Sequence, residues 1–378
     1  MVQQNVPAPG LASTVVPKGQ PPIHALTGVR ALAAGWVLLF HLQKPLIELF
    51  PSLVGLKPLF ESGYLGVDLF FVLSGFILAY TYQDRLGTID VRAYRRFLVL
   101  RLARVYPVHL AVLLLFVVAV PAGKQLDMHF ASSRVYDYGE LLYHVTLTHA
   151  WGVTDKLSWN IPSWSISAEW FAYLCFPVLV RPLLLVRRGG VALLLAATSL
   201  TAMLLALDFL GRSDLDLTHT GAILRVSGEF VAGMLLCRAL RGEWSRVPWS
   251  VVVGLCMGGA VGVSAVFGPT RSVIFLLALL VLSLARSRGS IAHLLGSRPM
   301  RYAGAVSYSL YMTQGLVFMA GESLLPAHNY IGSTTLTKLG IVAVYFLALG
   351  ALASLVYHLV ENPGREFIRG LGQKKRGR

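Results

Sequence analysis

HALTGVRALAAGWVLLFHLQ, residues 24–43, is an apolar run that carries an arginine, Arg30, and a histidine, His41. Its length matches the roughly 20 residues that a helix rising 1.5 Å per residue needs to span a hydrocarbon core. Comparable runs recur, and spans are expected at 24–43, 63–82, 104–122, 163–182, 190–210, 220–238, 249–268, 270–286, 302–321 and 339–360. The fold class is therefore all-α, a polytopic membrane protein of about ten transmembrane helices embedded in a lipid bilayer. Composition agrees: 55% of residues are hydrophobic, 13% are charged and mean hydropathy is +0.64, which leaves little room for a soluble domain.

Around this core, residues 1–22 form a proline-rich stretch without the apolar segment of a signal peptide, expected to be a disordered cytoplasmic tail. Residues 23–363 form the membrane domain and 364–378 a basic cytoplasmic tail. Cys175, Cys237 and Cys256 sit inside apolar runs, so neither a disulfide framework nor a zinc spacing is present, and no metal is expected. The net charge of +15 comes from short clusters between spans rather than one basic stripe, which argues against nucleic acid as a partner.

Those clusters assign sides. The segments DRLGTIDVRAYRRFLVLRLAR (84–104), RRGG (187–190), RALRGEWSR (238–246), RSRGSIAHLLGSRPMR (286–301) and REFIRGLGQKKRGR (365–378) follow the even-numbered spans and the last span and are rich in arginine. The alternate segments, KPLIELFPSLVGLKPLFES (44–62) and GRSDLDLTH (211–219) among them, are balanced or acidic. By the positive-inside rule both termini are cytoplasmic.

Ionisable groups inside spans cost on the order of 2.5–3.5 kcal/mol each to insert, so they mark function. Arg30 and His41 are eleven positions apart, which at 100° per residue brings them within about 20° of one helix face and about 16 Å along it. Asp68 lies in the second span, Glu169 in the fourth, and Tyr311 and Gln314 in the ninth. His41, Asp68, Glu169 and Gln314 are expected to meet in one polar chamber, with Arg30, Arg101 and Arg104 forming a cationic cytoplasmic mouth below it. A histidine oriented by a carboxylate suits removal of a hydroxyl proton, since its ordinary pKa is roughly 6.5. Which of Asp68 and Glu169 orients it stays open. Guanidinium groups bind phosphates through paired donors, so the mouth suits a phosphorylated donor. Arg225 and Glu229 read as an i, i+4 ion pair. Trp151, Trp159, Trp164 and Trp170 read as an interfacial aromatic belt, with Trp164 a candidate for contact with substrate.

Six motifs then resemble the integral membrane O-acyltransferases of acyltransferase family 3. They are LTGVRALAAGWVLLFH, GYLGVDLFFVLSGF, RRFLVLRLARVYP, PSWSISAEWFAY, AVSYSLYMTQ and VENPGR. The resemblance implies that Arg30 and His41 are essential, that Arg101 and Arg104 form the family's arginine pair, and that the donor is an acyl-CoA, usually acetyl-CoA. It further implies a hydroxylated acceptor, a sugar or a macrolide-like metabolite, and a bacterial plasma membrane. Where the family commonly has His, this chain has Gln314, which cannot act as a base. The competing reading is a transporter or exporter, with His41, Asp68 and Glu169 as a proton relay.

Overall fold

The computed structural model describes residues 21–86, 90–125, 135–212, 215 and 217–373; the expected tail at 1–22 lies almost wholly outside the described residues. The helices are α1 (His24–Leu49), α2 (Lys57–Glu61), α3 (Leu65–Leu86), α4 (Val91–Gln125), α5 (Leu141–Val145), α6 (Trp164–Leu185) and α7 (Gly189–Phe209). They continue as α8 (Ala222–Ala239), α9 (Trp249–Phe267), α10 (Val273–Arg286), α11 (Ser290–Leu295), α12 (Arg298–Leu324), α13 (Thr335–Val356) and α14 (Asn362–Gln373). Helix makes up 82% of the described residues, with no strand among them. That is the expected solution for a chain in lipid, where every backbone polar group must be satisfied within its own segment.

Each expected span coincides with a helix, but seven helical segments are long and apolar enough to cross a membrane. The charges of α8 (Arg225, Glu229, Arg238) and the polar positions of α12 lower their hydropathy, and α10 has only 14 residues. Segment boundaries also move. α1 continues through Pro45 to Leu49, and the stretch read as a loop after it is largely helical turns, including a 3-10 helix at Pro51–Leu56. α4 starts at Val91, so Arg101 and Arg104 sit on a continuous 35-residue helix rather than in a loop. The basic tail is helical through Gln373, preceded by a π-helical turn at Tyr357–Glu361.

Small residues set the closest helix approaches, as they do where packing rather than hydrophobicity joins membrane helices. A Cβ at Gly75 of α3 would stand 2.0 Å from the carbonyl oxygen of Phe230 in α8, and one at Gly233 of α8 would stand 2.1 Å from that of Val72. At Gly304 of α12 the same atom would lie 1.9 Å from the Thr27 carbonyl of α1. Gly304→Val must therefore push α12 off α1. A stability loss of about 1–3 kcal/mol or more, read as a lower thermal midpoint in detergent, is expected together with loss of activity. An unchanged midpoint would contradict this packing.

Three histidines form a buried stack where the connection between α4 and α6 folds over α4. The His144 and His149 rings are 4.0 Å apart and nearly parallel, and His149 and His109 are 6.1 Å apart. His144 Nε2 meets Ser158 Oγ at 2.8 Å and His149 Nε2 meets Ser163 Oγ at 3.0 Å. Burial first, then the neighbouring imidazoles, push His144 down to about 2 and His149 down to about 3. The folded segment thus binds fewer protons than the unfolded one, so its stability is complete above the ordinary histidine pKa of roughly 6.5 and is lost as pH falls below that toward 3. A thermal midpoint that drops between pH 7 and pH 4, and drops less in His144→Gln, is the expected result.

The tryptophans of this region depart from the aromatic belt. Trp159 is 1% exposed and donates to the Asp137 carbonyl at 2.8 Å, Trp151 donates to the Ser167 carbonyl at 2.9 Å, and Trp164 is also buried. Through these bonds Trp151 and Trp159 tie the connection down, while Trp170 is partly buried against the core.

Candidate active site

α1 and α12 pack along their length and build two cavities at successive levels; the arginines expected in the mouth line one together with Glu169, and His41 lines the other without Asp68, Glu169 or Gln314. The first, of about 150 Å³, lies between α1, α3, α4, α6 and α12; its polar lining includes Arg30, Arg101, Arg104, Glu169, Tyr308 and Tyr311. The second, of about 670 Å³, is lined by His41, Lys44, Glu48, Glu322, Ser323 and His328, with Phe318 and Tyr345 as aromatic wall.

In the smaller cavity the arginines are held by rings and carboxylates. Arg104 pairs with Glu361 and lies over the Tyr308 ring at 5.6 Å. Arg101 donates to the Tyr82 hydroxyl at 3.1 Å and lies over the Tyr82 and Phe97 rings. Arg30 lies 5.8 Å from the Phe70 ring centroid. The Nε atoms of Arg30 and Arg101 are buried without a hydrogen-bond partner. Ser165 Oγ donates to the Tyr311 hydroxyl at 3.0 Å, and Tyr173 hydrogen-bonds Glu169 one turn away on α6. Glu361 also accepts from Ser309 at 2.7 Å. The π-helical turn that begins after Val356 aims this carboxylate at α4, in keeping with the frequent placement of such turns at functional sites.

His41 opens into the larger cavity, its ring 5.1 Å from that of Phe40 and 5.9 Å from that of Phe318. The carboxylates that share its cavity are Glu48 and Glu322. Neither Asp68 nor Glu169 lines that cavity. Asp68 is wholly buried and accepts two hydrogen bonds from Arg225, at 2.9 and 2.6 Å, while Glu229 stands 3.7 Å from the same guanidinium. The i, i+4 pair therefore exists, but the tighter partner of Arg225 comes from another helix. Trp164 lies against this cluster, 5.2 Å from the Arg225 guanidinium, and does not line either cavity. Gln314 is buried at a level of α12 between the cavities, with its Nε2 unpartnered, and lines neither.

Glu48 was legible in principle. It follows His41 by seven positions, about 20° from the same helix face, but only if the helix runs past Pro45. Glu322 is eleven positions beyond Tyr311 on α12, one face again. Glu361 offers no such periodicity, because the π-helical turn resets the phase between α13 and α14.

The arrangement joins a cationic cavity to a second cavity containing a histidine, both on one helix. An acyltransferase domain family matches residues 23–357. A protein named Acyltransferase MdmB from Streptomyces mycarofaciens is 27% identical over 376 residues, 93% of each chain. A shorter match, to Protein 2 in picA locus from Rhizobium radiobacter, is 35% identical over 128 residues, 31% of this chain and 58% of the other. No solved structure matches the chain. The family match, spanning the helices that carry both cavities, shows that this membrane protein belongs to acyltransferase family 3 and is an acyl-transferring enzyme rather than a transporter.

Proposed function

We propose that the protein transfers a short acyl group, acetyl, from acyl-CoA to a hydroxyl of a carbohydrate or of a macrolide-like metabolite, with His41 as general base. The observation that carries this reading is the single helix α1, which presents Arg30 to the small cationic cavity and His41 to the large one. Arginines with buried, unpartnered Nε atoms suit a phosphorylated donor. A volume of about 150 Å³ suits the narrow pantetheine arm of that donor, which passes through it toward His41. The larger cavity, with aromatic walls and several polar groups, suits a hydroxylated acceptor.

In the reaction, the donor arm carries the thioester past the small cavity to the level of His41, where the imidazole takes the acceptor hydroxyl proton as the oxygen attacks the carbonyl. The carbon–sulfur bond breaks, and the thiolate leaves and regains the proton as free CoA. Glu48 and Glu322 are the carboxylates placed to stabilise the imidazolium formed between these steps. Tyr311, paired with Ser165, lines the passage that the donor arm takes. Asp68 has no part in this chemistry and serves the helix core through Arg225.

The ten helices that coincide with the expected spans are all assigned to the membrane in this reading, with both termini on the cytoplasmic side of a bacterial plasma membrane. The arginine-rich ends of the helices support that orientation. The test is incubation of the purified protein in nanodiscs with acetyl-CoA, longer acyl-CoA donors and a panel of hydroxylated acceptors, with products read by mass. An acceptor carrying one acetyl group is the expected product. Absence of any acylated product across the panel, with folded protein, counts against the assignment.

A further inference from the structure

α14 extends the cationic site past residue 357, where the family match ends; Arg365 closes the VENPGR motif and Arg369 lies one turn beyond it. Gly364 lets α14 dock on α4: a Cβ there would stand 2.7 Å from Pro107. The docking brings Arg365 and Arg369, i and i+4 on one helix face, within electrostatic range of Arg104 and Arg101. Like charges at this spacing are unfavourable by themselves. Arg365 is only 8% exposed, and although it donates to Asn362 at 2.6 Å, its Nε is buried without a partner, as is the Nε of Arg369. The acids in reach are Glu361, already engaged by Arg104 and Ser309, Glu169, hydrogen-bonded to Tyr173, and the exposed Glu366. Arg30, Arg101, Arg104, Arg365 and Arg369 thus outnumber their carboxylates, and four of them keep a buried donor free.

We propose that Arg365 and Arg369, together with Arg101, form the seat for a polyphosphate anion, the nucleotide phosphates of the acyl donor. This rests on the acyl-CoA reading above and adds the residues of α14 that hold the donor's charged end. Guanidinium groups with unfilled donors in a half-buried cluster suit a ligand with several phosphate oxygens, which offers paired acceptors and cancels the mutual repulsion. The uncharged pantetheine arm then runs through the small cavity beside Arg30 toward His41. A phospholipid headgroup has the same chemistry as the donor's phosphates, so the test must separate the two.

Full-length protein in phosphatidylcholine nanodiscs is assayed with acetyl-CoA and with acetyl-pantetheine, which lacks the phosphates, for wild type, Arg365→Gln/Arg369→Gln and a surface control, Arg187→Gln/Arg188→Gln. Charge-assisted hydrogen bonds lost to phosphate correspond to roughly tenfold or more. The expected result is that the ratio of kcat/KM for acetyl-CoA to that for acetyl-pantetheine falls at least tenfold in the α14 variant, through KM, and stays at the wild-type value in the control. Arg365→Lys/Arg369→Lys, which keeps the charge, is expected to fall in between and covers the case in which the glutamine variant is unstable. An unchanged ratio in a folded α14 variant overturns the proposal. If wild type uses neither thioester, the acyl-CoA reading fails, and titration with adenosine 3′,5′-bisphosphate decides the seat directly: binding lost in the variant supports it, and absence of binding to wild type overturns it. Nucleotide binding abolished by anionic lipid in wild type would assign the arginines to the membrane and likewise overturn the proposal.

Discussion

His41→Ala is expected to lower turnover by about 10²- to 10⁴-fold, the range for removal of a positioned general base, while the protein remains folded. The side chain is exposed to the large cavity and touches the rings of Phe40 and Phe318, so truncation removes little packing. Nor does it disturb Arg30, which lies about 16 Å away along α1, or Arg101 and Arg104 on α4. Donor affinity should therefore survive, and the loss should appear in kcat. His41→Gln, which keeps a hydrogen-bonding group but cannot accept a proton in this range, is expected to be as inactive as alanine. The check is steady-state kinetics on purified variants beside a thermal unfolding scan. A His41→Gln variant with near wild-type kcat would show that this imidazole removes no proton.

The second large effect is on stability and concerns Arg225. Its guanidinium is wholly buried between Asp68 and Glu229, with the rings of Tyr64 and Trp164 at 5.7 and 5.2 Å. Arg225→Leu strands two carboxylates in the interior with no cation, and breaking a buried pair from one side costs about 3–5 kcal/mol. Asp68→Asn is expected to cost less, because Glu229 remains 3.7 Å from the same guanidinium and asparagine still offers an oxygen to it. The order Arg225→Leu well below Asp68→Asn, in thermal midpoint or in yield of folded protein, follows from one cation serving two acids. Equal effects would mean that Glu229 contributes nothing to the cluster.

The parts of this protein that could be read from its sequence are those governed by one helix at a time. The placement of Arg30 and His41 on one face needs only the 3.6-residue period, and the helical runs announce themselves through length and apolarity. The i, i+4 spacing of Arg225 and Glu229 is of the same kind. What the sequence conceals is pairing between helices. Asp68 and Arg225 are 157 positions apart, and their partnership depends on the close approach that Gly75 and Gly233 permit between α3 and α8. That approach removes Asp68 from the neighbourhood of His41, where its depth alone suggested it. Continuation past Pro45 was likewise hidden: a proline ordinarily ends or kinks a helix, yet α1 runs on for four more residues and so carries Glu48 into the His41 cavity.

The central claim is that an acyl donor held at the arginine cavity presents its thioester to an acceptor hydroxyl activated at His41. Its most direct test is to count, in one reaction of purified protein in nanodiscs, free thiol released and acceptor acylated, for wild type, Arg30→Ala and His41→Ala. One thiol released per acylated acceptor in wild type, with both lost together in each variant, is the predicted result. Thiol release in His41→Ala at the wild-type rate, or acylated acceptor formed without release of thiol, would contradict it.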